Sequence, residues 1–285
     1  MSGQYEQIYH KKIFESKWDE LKFRSEVMIS AKHTEKLVGL TIEGDYDDFY
    51  EIVESIYRMT GPDDSYSDYY WGVKNRLLGV CYDIRHAYMG DRDIKLVDNG
   101  VQDEMMKWHS MILPKQEVHF SVNIMFPEAV FVALSAPELY VWSSQYYGQR
   151  TKKQEEVASF PAQKYSDYVR DKAIIDTLSA VILGALAEVI GDDELEKLFK
   201  LKGSQYGDSF FNYATQYVDK CNIEYLKTAS EKRKDKLRNI AKRFVKQPDS
   251  YRNMKRDLEY AARHYGCSIY ELHDPKLEYP EEIEW

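Results

Sequence analysis

The stretch Arg76–Gly100, RLLGVCYDIRHAYMGDRDIKLVDNG, commits the chain to a helix that runs almost directly into a strand. Leu77, Leu78, Val80, Cys81, Ile84 and Tyr88 recur at three- and four-residue steps and so share one helical face. Gly90 suits the end of that helix, and Ile94, Leu96 and Val97 continue as a short strand. Two further strand-like runs precede it, Phe23–Ser30 and Leu37–Glu43, which the intervening Ala31–Lys36 would let pair as a hairpin. The run EVHFSVNIMF, Glu117–Phe126, is the clearest strand of all.

Helical patterns fill the spaces between these strands. Asp45–Met59 places Phe49, Ile52, Val53, Ile56 and Met59 on one face and opens on an acidic turn, as the helix dipole prefers. Tyr69–Met89 and the Met-rich Val101–Leu113 follow, the latter closed by Pro114. Pro127 begins a helix to about Tyr147, at a position where proline starts helices well. Residues 23–148 are therefore expected to form an α+β unit, a small mostly antiparallel sheet covered by helices.

Residues 149–164 show no sustained apolar period and are expected to be a loop or linker. Beyond them only helices are expected: Tyr165–Ile190, the central helix of this half, then Asp192–Leu201, Phe210–Thr228, Glu231–Lys246 and Tyr251–Tyr265. Residues 165–285 thus make an all-α bundle with an acidic C-terminal tail. Residues 1–22 have little to bury and are expected to be an N-terminal arm.

With 44% hydrophobic residues, a chain of 285 has ample material for a core. The longest apolar run, Ala173–Ile190, is broken by Asp176, Thr177, Ser179, Gly184 and Glu188, short of the roughly 20 apolar residues that span a bilayer. A buried helix is expected there, not a membrane span. The first residues, MSGQYEQIYHKK, lack the apolar centre of a signal peptide, so a cytoplasmic protein is expected. Cys81, Cys221 and Cys267 are odd in number and without CxxC spacing, which argues for reduced thiols and against a structural zinc.

Four groups of residues could carry chemistry or binding. In the first, Asp83 and His86 lie a three-residue step apart, so Asp83 could orient His86 as a general base while Arg85 or Arg92 holds an anion. With no nucleophile or metal-ligand motif beside them, a hydrogen-bonded structural network is the favoured reading. The second, Glu43, Asp45, Asp47 and Asp48, reads as a helix cap rather than a magnesium site. Gly39 and Gly44 have neither the spacing nor the lysine of a phosphate loop, so no cofactor and no metal are expected.

The third group is the basic helix around Lys242 and Arg243. It could bind phosphates, but its opposite stripe of Leu237, Ile240, Ala241, Phe244 and Val245 makes it look like the solvated side of a bundle helix. A net charge of -9 weakens the nucleic-acid reading further, and the tail carboxylates Glu278, Glu281, Glu282 and Glu284 are available as partners for the cations. The fourth group is aromatic. Tyr140, Trp142, Tyr146, Tyr147 and Trp285 are residue types enriched at interface hot spots, in a chain with 24 tyrosines.

The phrases LVGLTIEGDYDDFYEI, LLGVCYDIRHAYMGDRDIKLVDNG, SVNIMFPEAVFVAL, YATQYVDKCNIEYL and LEYPEEIEW together resemble an uncharacterised bacterial family, mostly from Firmicutes and classed as a domain of unknown function, over Leu37–Trp285. That resemblance implies no activity, cofactor or catalytic residue. The function expected is a non-catalytic interaction or regulatory protein that binds a protein partner, as a homo-oligomer. Its setting could be bacteria–phage conflict, for instance as an inhibitor of a defence complex. The alternatives are an enzyme on a phosphate-containing substrate using Asp83 and His86, and a nucleic-acid binder using the basic helix.

Overall fold

The computed structural model describes residues 29–61, 69–149, 163–204 and 210–285. The expected arm, the 23–28 part of the first expected strand and nearly all of the expected linker lie outside them. Strands β1 (Ser30–His33) and β2 (Gly39–Gly44) do form an antiparallel hairpin, but its turn is Thr34–Val38, later than Ala31–Lys36. The reason is local. Thr34 Oγ1 accepts from the Val38 and Gly39 amides at 3.1 Å each, and Leu37 takes the left-handed conformation at φ 56° that closes the turn.

Strand β3 (Asp93–Asp98) matches the expected span, and β4 (Gln116–Met125) starts one residue before the expected one. The sheet runs β1-β2-β4-β3, antiparallel throughout, so β1 and β3 are its edges. Helix α1 (Tyr46–Thr60) starts on Asp45, whose carboxylate accepts from the Asp48 amide at 2.8 Å while Asp48 accepts from the Asp45 amide. Helix α2 (Trp71–His86) ends in one wide turn, Ala87–Asp91, where Gly90 at φ 91° reverses the chain toward β3. The short α3 (Asp103–His109) lies in the β3–β4 connection.

The centre of the molecule is α4 (Phe126–Ser143), in which every residue from Ala129 to Ala136 is buried. A helix apolar on all sides has to be covered on all sides. The sheet and α2 cover it from one direction. From the others it is covered by α5 (Tyr165–Ile190), α7 (Gln216–Leu226) and α8 (Ser230–Lys246). Helix α4 thus belongs to the core of the whole molecule and not of residues 23–148 alone. Although α5 is long and apolar enough to cross a membrane by length and composition, only one stripe, including Ile175, Leu178, Ile182 and Leu186, is fully buried, and its other faces stay partly open.

Helices α6 (Asp192–Gly203) and α9 (Asp249–Tyr265) complete the set. Phe210–Thr228 is shorter as a helix than expected, because Phe210 and Tyr213 precede α7 in a turn and fill the core instead. Tyr213 stacks on Tyr251 at 4.5 Å and packs against Phe131 of α4 at 5.0 Å. Buried residues from the stretches before and after 149–164 join one core. The three cysteines are free thiols, and burial pushes those of Cys81 and Cys221 up to about 12.

One buried charge ties the layers together. Asp171 of α5 has no exposed surface and accepts from Arg58 Nε and Nη2 at 2.8 Å each, from Ser55 Oγ at 3.1 Å and from the Tyr147 hydroxyl at 3.0 Å. It thereby clamps α1 to α5 and to the chain leaving α4. Removing one partner of such a pair leaves the other charge uncompensated. Asp171→Ala should lower unfolding free energy by about 3 kcal/mol or more, read as a shifted midpoint in urea at neutral pH; an unchanged midpoint would contradict the clamp.

Candidate functional site

The first group of expected site residues does not assemble as expected. Asp83 does not orient His86: His86 Nδ1 lies 2.7 Å from Asp91 Oδ2, across the wide turn, and its ring packs on Tyr82 at 4.2 Å. Asp83 instead accepts from Arg92 at 3.4 Å, and Arg85 donates to the Tyr57 hydroxyl at 3.1 Å. The turn at Gly90 brings residues 91 and 92 back beside the end of α2, which the three-residue spacing alone did not show. Burial raises the Asp83 carboxyl, and Arg92 works against that rise. His86 with Asp91 is an oriented base, but the neighbouring Cys81 points into the core, its thiol directed at the Val53 carbonyl at 3.9 Å.

Beside this group a cleft of about 960 Å³ opens between α2, the wide turn, β4, α7 and the C-terminal tail. Arg76 forms its floor. Its guanidinium donates to Glu128 at 3.1 Å, to both oxygens of Asp219 at 2.9 and 2.5 Å, and to the Thr215 carbonyl at 2.8 Å. Asn222 donates to Glu128 at 2.9 Å, and the Tyr279 hydroxyl donates to Asp219 at 2.8 Å. Burial opposes the charge on Arg76, but the two carboxylates outweigh it and hold the group protonated. Burial raises Glu128, against the pull of Arg76.

The tail closes one end of the cleft. Glu284 pairs with Lys36 at 2.6 Å, and Trp285 lies against Gly39, where an added Cβ would collide with the Ile124 carbonyl and sit 2.6 Å from the indole. Of the cleft's lining, Arg76 and Arg92 are both engaged by carboxylates. The arrangement is a polar network that docks α2, α4, α7 and the tail, with Arg76 Nε and Asn222 Oδ1 buried in it without a hydrogen-bond partner among the described residues. Arg76, Glu128, Asp219 and Asn222 were missed by sequence reasoning; the available signal was Glu128, an acid in the first turn of a largely apolar helix.

The second group behaves as a cap, through the reciprocal Asp45–Asp48 bonds described above. Glu43 turns the other way, to Lys95 at 2.7 Å and His119 at 3.6 Å. Among the described residues no three His, Cys, Asp or Glu side chains are placed to hold a metal ion.

In the third group the cations face neighbouring helices rather than the tail. Lys242 pairs with Glu194 of α6 at 2.7 Å, while Arg243 pairs with Glu224 of α7 at 2.9 Å and donates to the Tyr217 hydroxyl at 2.8 Å. Their buried stripe is the expected one. In the fourth group, Tyr140 and Tyr147 are core residues, and the Tyr140 hydroxyl donates to Asp176 at 2.6 Å. The Tyr146 hydroxyl accepts from Lys74 at 2.7 Å, and Trp142 packs on Tyr69 and Tyr70. These aromatics build the core and its margin.

A group of exposed apolar side chains lies on the arm formed by β3, α3 and β4. Helix α3 buries none of its residues. Ile94 is 54% exposed, Leu96 64%, Trp108 85% and Ile112 98%, and Met105, Met111, Leu113 and Val118 are exposed beside them in the chain. The arm is nevertheless built: Asn99 donates from its amide to the Lys115 carbonyl at 3.0 Å and from Nδ2 to the Pro114 carbonyl at 2.9 Å, and Lys115 pairs with Asp103 at 3.0 Å. Its strand–Met-rich helix–strand order was legible in the sequence. Its lack of cover was not.

Comparison with known families now gives the chain its place. The model of a domain of unknown function, DUF6904, matches residues 29–285. The chain belongs to the DUF6904 family. The match begins before Leu37, so β1 and its hairpin are part of the family's fold. No curated protein and no solved structure matches the chain.

The acidic cap of this DUF6904 protein has a pH signature. Burial, reinforced by Asp45, raises the Asp48 carboxyl from 3.8 to about 6. The folded state then holds a proton that the unfolded chain releases earlier. Stability from this group is present in full at low pH and is lost as pH rises through about 6. Relative to wild type, Asp48→Asn should therefore gain in melting temperature between pH 4 and pH 7. A difference that stays flat across that range would count against the burial of this carboxyl.

Proposed function

We propose that this protein works by binding another protein, with the β3–α3–β4 arm as the contact surface. The observation that carries this reading is the apolar surface left uncovered on an ordered arm. Monomeric proteins rarely leave contiguous apolar patches above a few hundred Å² facing water, and larger ones mark interaction sites. Trp108 and Ile112 are anchors of the kind that fill a partner's pocket. The arm's charged residues favour a protein over a phosphate-rich surface: Asp93, Asp98, Asp103, Glu104 and Glu117 outnumber Lys95, Lys107 and Lys115.

Two further observations support binding over the alternatives. Lys242 and Arg243 of α8 are engaged by Glu194 and Glu224, and the Cys81 thiol on the helix that carries His86 faces the core. An inhibitor of a defence complex in bacteria–phage conflict is one setting in which such a surface would act.

The test is capture from host cells, comparing the wild-type chain with a Trp108→Ser, Ile112→Ser variant. Because neither side chain contributes to the core, the variant should keep the wild-type melting temperature within about a few degrees. It should also lose at least tenfold of whatever protein the wild type retains. Equal capture by both chains would overturn the proposal, as would a wild-type chain that binds anionic vesicles and no protein.

A further inference from the structure

We propose that the free edge of β3 pairs with β3 of a second copy of this chain, antiparallel about a two-fold axis, with Asp93 of each copy opposite Lys95 of the other. This rests on the reading of the arm as a binding surface and names one occupant for its edge. Among the described residues β3 pairs with β4 alone and ends the sheet. It carries no proline or bulge, and five of its six residues are exposed. An edge strand presents unpaired N–H and C=O groups that can template pairing with another chain, and because β3 carries Asp93, Lys95 and Asp98 the partner strand has to match those charges. A two-fold antiparallel pair satisfies both edges at once and closes the assembly at two copies.

Geometry and charge select the register. An axis perpendicular to the sheet keeps each face on its own side, so directly opposed residues must share a face and differ by an even number of positions. The centres Ile94, Lys95 and Leu96 each keep at least five opposed residues within Arg92–Asp98. Centring on Lys95 sets two ammonium groups opposite each other, which is destabilising. Centring on Leu96 sets Ile94 against Asp98 and leaves Lys95 facing Val97. Centring on Ile94 sets Ile94 against its counterpart, forms the Asp93–Lys95 pair twice, and lays Leu96 along the aliphatic stem of Arg92.

The backbone permits this register, since Arg92 is already extended at φ -131°, ψ -167° and can lengthen the ladder to five residues. Lys95 has side-chain surface to share, being 50% exposed while paired with Glu43.

Light scattering on the full chain, from about 1 to 100 μM, should show a mass rising to twice that of one chain. Ile94→Lys should shift the equilibrium at least tenfold toward monomer. Asp93→Lys and Lys95→Asp should each weaken the dimer, and the double charge swap should restore it. Circular dichroism will show which variants fold. Independently of those, Ile94→Cys under mild oxidation should give a covalent dimer faster than Leu96→Cys, because only residue 94 meets its own copy.

A wild-type chain that stays monomeric across the range overturns the inference, and so does a dimer indifferent to all three substitutions, or faster cross-linking through residue 96. None of these outcomes touches the wider reading of the arm, which stands or falls on Trp108 and Ile112, outside β3.

Discussion

The core of this fold is organised around α4. Its residues from Ala129 to Ala136 are buried without a break, so no single layer can shield it, and the chain has to supply covers from several directions. The sheet and α2 come from sequence before it, and α5, α7 and α8 from sequence after it. That is why stretches that look separable along the chain share one core. Pro137 is tolerated in the same helix because it sits where the helix meets solvent.

Apolar cover sets which elements gather, but the buried charges set how they sit. Burying a carboxylate without partners is costly, so each buried acid dictates the position of the groups around it. Asp171 fixes α1, α5 and Tyr147 against one another, while Arg76 does the same for α2, α4, α7 and the tail. Lys242 and Arg243 extend the scheme to α6 and α7. Lys242 and Arg243 of the basic helix thus hold neighbouring helices in place.

The arm stands apart from this economy of cover. Its hydrogen bonds are local and its apolar side chains face outward, and α3 contributes nothing to the core. The same chemistry that makes α4 a centre makes the arm a surface: apolar groups on a defined scaffold gain by excluding water, and the arm has nothing of its own to exclude it with.

The sequence by itself determined the elements. Apolar steps of three and four residues in α1, α2 and α8, the alternation in β2 and β4, and the helix stops at Gly90, Gly191 and Gly266 are local physics, and their bounds agree with the structure to within a few residues. It also determined the cap at Asp45, because a capping box spans only four residues. Tertiary structure alone decided what each exposed-looking group faces. His86 took Asp91 in place of Asp83 because the turn at Gly90 folds back on α2. Tyr140 and Tyr147 went inward because α5 lies over them, and Ile94, Leu96 and Trp108 stayed outward because no later segment among the described residues returns to cover β3 and α3. Period and propensity act over one or two turns, whereas burial depends on which distant segment arrives, and that information is spread over the chain.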